Sequence, residues 1–144
     1  MRIGPETPAW SELRRVLTSL ADDADAMYAY VLDSRGTLWC SSEQVKEDST
    51  SPASQIVLDE LANLDTPLGR GGRLDRFAKR ASGNAYLRSF GGIYVLLLRF
   101  SAPKPIQMVR AAVTPLLPRI EALVADIPPP SGPGSEGAEG VGVA

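Results

Sequence analysis

The chain has 144 residues, enough for one domain with a hydrophobic core, and its 44% hydrophobic and 22% charged content is ordinary for a globular protein. A net charge of −2 gives no global field that would steer it to nucleic acid or to a membrane. Because histidine is absent and Cys40 is the single cysteine, we expect no enzyme, no cofactor, no internal disulfide and no cysteine-based metal cluster.

The sequence also predicts a cytoplasmic location. Residues 1–6 are not followed by an apolar segment of the kind found in signal peptides. No apolar run approaches the roughly 20 residues that a helix needs to span a bilayer. A lone thiol is typical of a reducing compartment.

The first element in chain order is predicted to be an amphipathic helix. Thr7 and Pro8 form a cap-then-proline helix start. Apolar residues then recur at spacings of three and four from Trp10 to Leu20, so we expect one face to be buried.

A β-hairpin is predicted next. Residues 27–33 are nearly all apolar and β-favouring, and the turn 33–36 ends in Gly36, which can take a positive φ. Residues 37–42 form the returning strand, whose weaker alternation indicates a position nearer an edge of the sheet. Residues 43–50 are polar and predict a loop.

The second helix, which starts at Ser51-Pro52, has an apolar surface wider than one sheet face would cover. At about 100° per residue, one stripe contains Ala53, Val57, Leu61 and Leu64. Ile56 and Leu58 widen that stripe. Either the helix is deeply buried, or it has a second apolar neighbour such as another copy of itself. We accordingly expect Ile56→Asp to leave a folded protein that is monomeric or deficient in partner binding.

Three further strands are predicted after a loop at residues 65–72, which is rich in Gly and Pro. Residues 73–80 alternate imperfectly and predict a charged edge strand, with a helical turn as the rival. Residues 85–90 predict a strand that a Gly-Gly turn joins to residues 93–100. That last run begins with six consecutive apolar residues, which is typical of a strand covered on both faces, and we place it in the middle of the sheet.

The last helix is predicted to begin after residues 103–105 and to carry an apolar stripe as far as Ile127. Pro115 and Pro118 interrupt it, and an interior proline costs about 3 kcal/mol. We therefore expect a break at Pro115, with Thr114 capping a second segment.

These elements predict an α+β domain of order α-β-β-α-β-β-β-α. Short turns make the hairpin and the three-strand meander antiparallel, and a central last strand gives a five-stranded sheet of order 2-1-5-4-3. Helices cover both faces, and residues 73–80 form one edge. The predicted organisation is an N-terminal extension (1–6), one domain (7–127) and a disordered tail rich in Pro and Gly (128–144).

Three groups of residues could suggest chemical sites, but the pattern of each favours a simpler interpretation. The stretch 69–72 is glycine-rich like a phosphate cradle, but it lacks the Gly-Lys-Ser/Thr ending and a preceding strand, which favours a flexible loop. Asp22, Asp23 and Asp25 lack the Gly and Glu of a calcium loop, which favours a solvated helix end. Cys40 has no histidine to activate it and is interpreted as a small strand residue.

Positive charge is concentrated between residues 70 and 99, which hold seven cations and one acidic residue, Asp75. The cations are Arg70, Arg73, Arg76, Lys79, Arg80, Arg88 and Arg99. A solvated edge and a docking patch for an acidic protein surface are the main alternatives. Nucleic acid is disfavoured because few aromatic residues are interleaved and the overall charge is negative.

The topology and two stretches resemble the roadblock (dynein light chain) domain family, in its bacterial MglB/MglC-like branch. Residues 30–38 are similar to the family's valine-leucine-acidic-x-x-glycine hairpin. Residues 93–113 are similar to its apolar strand, Ser/Pro connection and last-helix start. The resemblance covers roughly residues 8–127.

The resemblance implies a homodimer in which the second helix and the edge strand each pair with their copies. It also implies binding of a Ras-like small GTPase or another roadblock protein in bacterial control of cell polarity and motility, with no nucleic acid and no membrane insertion. The predicted dimer or partner interface comprises Ala53, Ile56, Val57, Glu60, Leu61, Leu64, Arg73, Arg76, Lys79 and Arg80. The alternative is a PAS- or profilin-like sensory domain that binds a small ligand beside the sheet.

Overall fold

Five strands form one antiparallel sheet in the computed structural model, which describes residues 7–43, 45, 50–81 and 83–129. The strands are β1 (Tyr28–Asp33), β2 (Leu38–Ser41), β3 (Asp75–Arg80), β4 (Gly83–Phe90) and β5 (Tyr94–Phe100). Their order across the sheet is β2-β1-β5-β4-β3. The predicted strand order is confirmed, and β3 lies at one edge.

The helices are α1 (Pro8–Ala24), α2 (Thr50–Ala62), α3 (Ile106–Val113) and α4 (Leu117–Ala125). The predicted α-β-β-α-β-β-β-α arrangement is confirmed, with the last helix in two segments. Among the described residues, no helix is long and apolar enough to cross a membrane.

The central strand β5 is buried from both sides. Leu96 and Leu98 belong to the core beneath α1, α3 and α4, whereas Val95 and Leu97 belong to the core beneath α2. All four side chains are fully buried. Because both faces of β5 are covered, its sequence shows an unbroken apolar run in place of an alternating pattern.

The start of α1 agrees with its sequence signal. The Thr7 side chain accepts a hydrogen bond from the Trp10 backbone N–H at 3.2 Å, and Pro8 opens the helix. Leu13, Leu17 and the rest of the predicted stripe are buried against the sheet.

The last helix bends through one turn of 3-10 helix at Thr114–Leu116. The predicted break at Pro115 is therefore confirmed, but the predicted cap by Thr114 is wrong. Thr114 has helical dihedral angles (φ −53°, ψ −44°), and Leu116 occupies the cap position of α4 without a side-chain hydrogen bond. Because the chain stays close to helical geometry through the bend, Thr114 is never in the extended conformation that a capping residue adopts.

The buried face of α2 is rotated from the predicted stripe. Its buried residues are Ala53, Ile56, Val57 and Glu60. Leu61 and Leu64 are only half-buried, and Leu58 is 39% exposed. Ile56 is 2% exposed, so Ile56→Asp would bury a charge in the protomer's own core, and we now expect this substitution to destabilise the protomer itself.

The predicted extension 1–6, most of the predicted loop 43–50 and nearly all of the predicted tail 128–144 lie outside the described residues.

Candidate functional site

The candidate site is the sheet edge formed by β3, together with the adjoining part of α2. The Ser89 N–H donates to the Leu74 carbonyl at 2.7 Å, next to the register pair Asp75–Arg88. Because hydrogen-bonded and non-bonded pairs alternate in an antiparallel ladder, every second residue of β3 turns its backbone away from β4. These residues are Asp75, Phe77 and Lys79, whose N–H and C=O groups lie along the outer edge.

An ion-pair network joins the end of α2 to β3. The Glu60 carboxylate accepts from Arg76 Nε at 2.9 Å and from Arg80 Nη1 at 3.0 Å. Arg80 Nη2 also contacts Asp59 Oδ2 at 2.7 Å. The Glu60 side chain is only 6% exposed, so the two guanidinium groups supply the partners that a buried carboxylate requires.

The network neutralises some of the positive charges at the edge formed by β3 and leaves others without an ion pair among the described residues. Arg76 and Arg80 are balanced by the two carboxylates of α2. Arg73 and Lys79 are exposed, and neither makes an ion pair within the described part of the chain. Arg73 and Lys79 are therefore available to an anionic partner without displacing a carboxylate of this chain.

A strip of accessible apolar surface lies along α2 and the loop after it. A cleft of about 300 Å³ is lined by Ser34, Leu61, Leu64, Pro67, Leu68 and Gly69. Leu58, one helical turn before Leu61, is partly exposed and lies close to Gly36 of the β1–β2 turn. We call Leu58, Leu61, Leu64 and Pro67 the leucine strip.

The ten predicted interface residues fall into two groups. Four are buried within the protomer: Ala53, Ile56, Val57 and Glu60. Six are exposed or half-buried on α2, on β3 or beside them: Leu61, Leu64, Arg73, Arg76, Lys79 and Arg80. Sequence reasoning did not include Asp59 in this surface, because its partner Arg80 is 21 residues away along the chain.

A second polar cluster, on the opposite face of the sheet, was also missed. Asp75 Oδ1 accepts from the Tyr86 hydroxyl at 2.6 Å and from Arg110 Nε at 3.2 Å. Arg88 Nη1 lies 3.8 Å from Asp75 Oδ2. Burial, followed by the hydrogen bond to Asp75, raises the pKa of Tyr86, and the Asp75 carboxylate raises the pKa of Arg110. The cluster joins β3 to β4 and α3. The one signal that the sequence offered is Asp75, the single acidic residue between residues 70 and 99.

The acidic residue of the hairpin has a structural role. Asp33 Oδ1 accepts from the N–H groups of Arg35 and Thr37 at 2.9 and 3.1 Å, and Oδ2 accepts from the Trp39 indole at 3.0 Å. Trp10 on α1 donates to the Trp39 carbonyl at 3.0 Å. Asp33 thus fixes the turn and, through Trp39, connects the hairpin to α1.

Two of the three candidate chemical groups, Cys40 and the acidic residues 22–25, lie away from this edge. Burial raises the pKa of the Cys40 thiol to about 12, which leaves almost no thiolate near neutral pH. Asp25 pairs with Lys104 Nζ at 2.5 Å. Within the described ranges, no group of three or more His, Cys, Asp or Glu side chains could hold a metal ion.

Solved structures that share this fold include MglB of Myxococcus xanthus, with a TM-score of 0.64 and 18% identity over 81% of this chain and 98% of that chain. An MglB with a tetrameric arrangement has a TM-score of 0.69 at 15% identity, over 86% and 96% of the two chains. The Roadblock/LC7 domain from Streptomyces avermitillis has a TM-score of 0.53 at 18% identity, over 81% and 98%. The chain therefore has a roadblock-like, MglB-like fold.

No protein-family model matches the sequence, and a search of curated proteins finds no significant match. At these identities the structural likeness establishes the fold alone.

Proposed function

We propose that this protein is a dimeric, non-enzymatic cytoplasmic adaptor that docks a Ras-like small GTPase or another roadblock protein in bacterial control of cell polarity and motility. The observation that carries the proposal is the outer edge of β3, which pairs with no strand among the described residues, in a fold shared with MglB. The sequence resemblance of residues 30–38 and 93–113 supports the same family.

The dimer would form by pairing β3 with its copy. A row of outward N–H and C=O groups is a template for another strand, and a twofold axis gives an antiparallel pair. In a register centred on Phe77, Asp75 of one protomer would lie opposite Lys79 of the partner subunit. Opposite charges at directly opposed positions favour that register. One MglB has a tetrameric arrangement, which supports self-association as a property of this fold.

The leucine strip would provide the second contact. In the proposed pairing, both α2 helices lie on the same face of the continuous sheet, so the two strips come to one side of the dimer. Apolar patches of this kind mark protein interaction sites. The strip would be covered by the second α2 helix or by the docked protein.

Affinity capture with matched variants tests the docking proposal. Immobilised wild-type protein should retain a Ras-like small GTPase or a roadblock protein from an extract of its own cells, identified by mass spectrometry. Leu58→Glu should lose this partner, because it adds a charge to the leucine strip. Met108→Glu is the control, since Met108 is 58% exposed on α3, on the opposite face of the sheet.

Retention of the same partner by wild type and Met108→Glu, with loss in Leu58→Glu, would support the proposal. Equal retention by both variants would show that the leucine strip is not the docking surface. Capture of neither class of partner by the wild type would contradict the adaptor function.

A further inference from the structure

We infer that a second cleft, at the end of the sheet, binds the carboxylate of an acidic side chain on the docked protein; this inference rests on the proposed docking function. The cleft lies between residues 68–75 and residues 88–92 and has a volume of about 580 Å³. Ligand sites in proteins commonly fall in this size range.

The cleft exists because β3 and β4 separate at their ends. Their last contact is between Leu74 and Ser89, where the Leu74 N–H donates to Ser89 Oγ at 2.9 Å. Before Leu74 the chain folds back on itself, and the Gly72 N–H donates to the Pro67 carbonyl at 2.9 Å. A Cβ on Gly72 would lie 1.9 Å from the Thr66 carbonyl oxygen, so this close approach requires glycine. One wall of the cleft is thus a closed, preformed turn.

The walls leave room for a ligand to approach the backbone. Gly69 and Gly92 line the cleft, and a Cβ at either position would meet no atom within 4 Å. The buried side chains of Leu68, Leu74 and Phe90 form its apolar part.

The charges on the walls favour a single carboxylate. Arg73 lines the cleft, is exposed and makes no ion pair among the residues that the structure describes. Arg88 also lines it, at 3.8 Å from the Asp75 carboxylate, which Arg110 and the Tyr86 hydroxyl already engage. Among the residues that line the cleft, Arg73 is thus the cation without a carboxylate partner in the described part of the chain, and it can pair with one carboxylate. A guanidinium binds a carboxylate through two parallel hydrogen bonds, whereas a doubly charged phosphate would also be repelled by Asp75.

An NMR titration of the full chain tests this site without the docked protein. The probe is a short peptide with blocked ends and a central glutamate, and the observed signals are the backbone amides of the five cleft glycines: Gly69, Gly71, Gly72, Gly91 and Gly92. The peptide should shift these signals saturably. Arg73→Gln should weaken binding about tenfold, because it removes a charged hydrogen-bond partner. Arg35→Gln should have no effect, since Arg35 is also exposed and makes no ion pair among the described residues, but it lies on the β1–β2 turn and does not line the cleft.

Equal shifts with a glutamine peptide would overturn the assignment, because no carboxylate would then be required. Tighter binding of inorganic phosphate would also overturn it, in favour of a phosphate site. If both variants weakened peptide binding equally, the binding would reflect general electrostatic attraction to a positive surface. That result would also overturn the assignment. If the peptide fails to bind while the partner is still captured, the cleft inference fails and the docking proposal stands. If the peptide binds and no partner is captured, the docking proposal fails.

Discussion

Glu60 lies on the buried face of α2 although it carries a charge. A carboxylate buried to this depth without partners would cost several kcal/mol, and Arg76 and Arg80 offset that cost with direct hydrogen bonds. A helical pattern of apolar residues assigns a glutamate to the solvent-facing side. The buried stripe predicted from the sequence is therefore centred too near Leu61. Arg76 and Arg80, which allow Glu60 to be buried, lie on β3, far from α2 in the sequence. No local pattern within α2 could reveal these partners.

The two arginines of this network should differ in their effect on stability. Arg80 is 25% exposed and bridges Asp59 and Glu60, whereas Arg76 is 60% exposed and contacts Glu60 alone. Arg80→Ala should lower the free energy of unfolding by about 1–3 kcal/mol, because it removes a partner of a buried charge. Arg76→Ala should cost under about 1 kcal/mol. Urea denaturation monitored by circular dichroism measures both, and equal losses would argue against the network.

Cys40 provides a probe of the core. Burial raises its pKa from 9.0 to about 12, so a thiol reagent at about pH 8 should modify it only after unfolding.

Because the folded-state pKa lies above the unfolded one, the thiol's contribution to stability is complete below pH 9.0 and is lost as the pH rises towards 12. Cys40→Ala should show a smaller alkaline loss of stability than wild type. Rapid modification of the native thiol would contradict its burial.

At the scale of elements, the sequence predicts a strand correctly where the strand's own residues indicate how much of it is buried. The unbroken apolar run of β5 indicated a central strand, and the charged residues of β3 indicated an edge; both are confirmed. The helix break at Pro115 followed from proline's missing N–H. The cap by Thr114 failed because the chain bends there without leaving helical geometry, which depends on how α3 and α4 pack against α1.

A paired substitution in the central run tests the placement of β5. Leu97 is fully buried, whereas Ile93 lies in the preceding turn and is 40% exposed. Leu97→Asp should abolish the cooperative fold, because it places a charge without a partner beneath α2. Ile93→Asp should give a circular dichroism spectrum like that of wild type. Native-like folding of Leu97→Asp would contradict the position of β5.

At the scale of the whole molecule, the candidate site could be predicted only in part. The edge position and the positive charge of β3 follow from its sequence, but the neutralisation of Arg76 and Arg80 depends on α2 packing beside it. The cleft at the end of the sheet depends on where β3 and β4 separate, and this separation involves Ser89 and the folded-back turn at Gly72. Such features arise from contacts between segments, which residue patterns do not encode directly.

The claim that β3 pairs with its copy can be tested at one backbone position. The Lys79 N–H lies on the outer edge, so Lys79→Pro removes a hydrogen bond to the second protomer and none to β4. Proline is tolerated at such positions of edge strands. Lys79→Gln removes the charge but keeps the N–H and serves as the matched control.

Light scattering coupled to size-exclusion chromatography at micromolar concentration is the most direct measurement. The wild type and Lys79→Gln should have at least twice the 15.4 kDa mass of one chain, while Lys79→Pro should remain folded and have the mass of a single chain. A single-chain mass for the wild type, or an unchanged oligomer for Lys79→Pro, would contradict a dimer formed through the edge of β3.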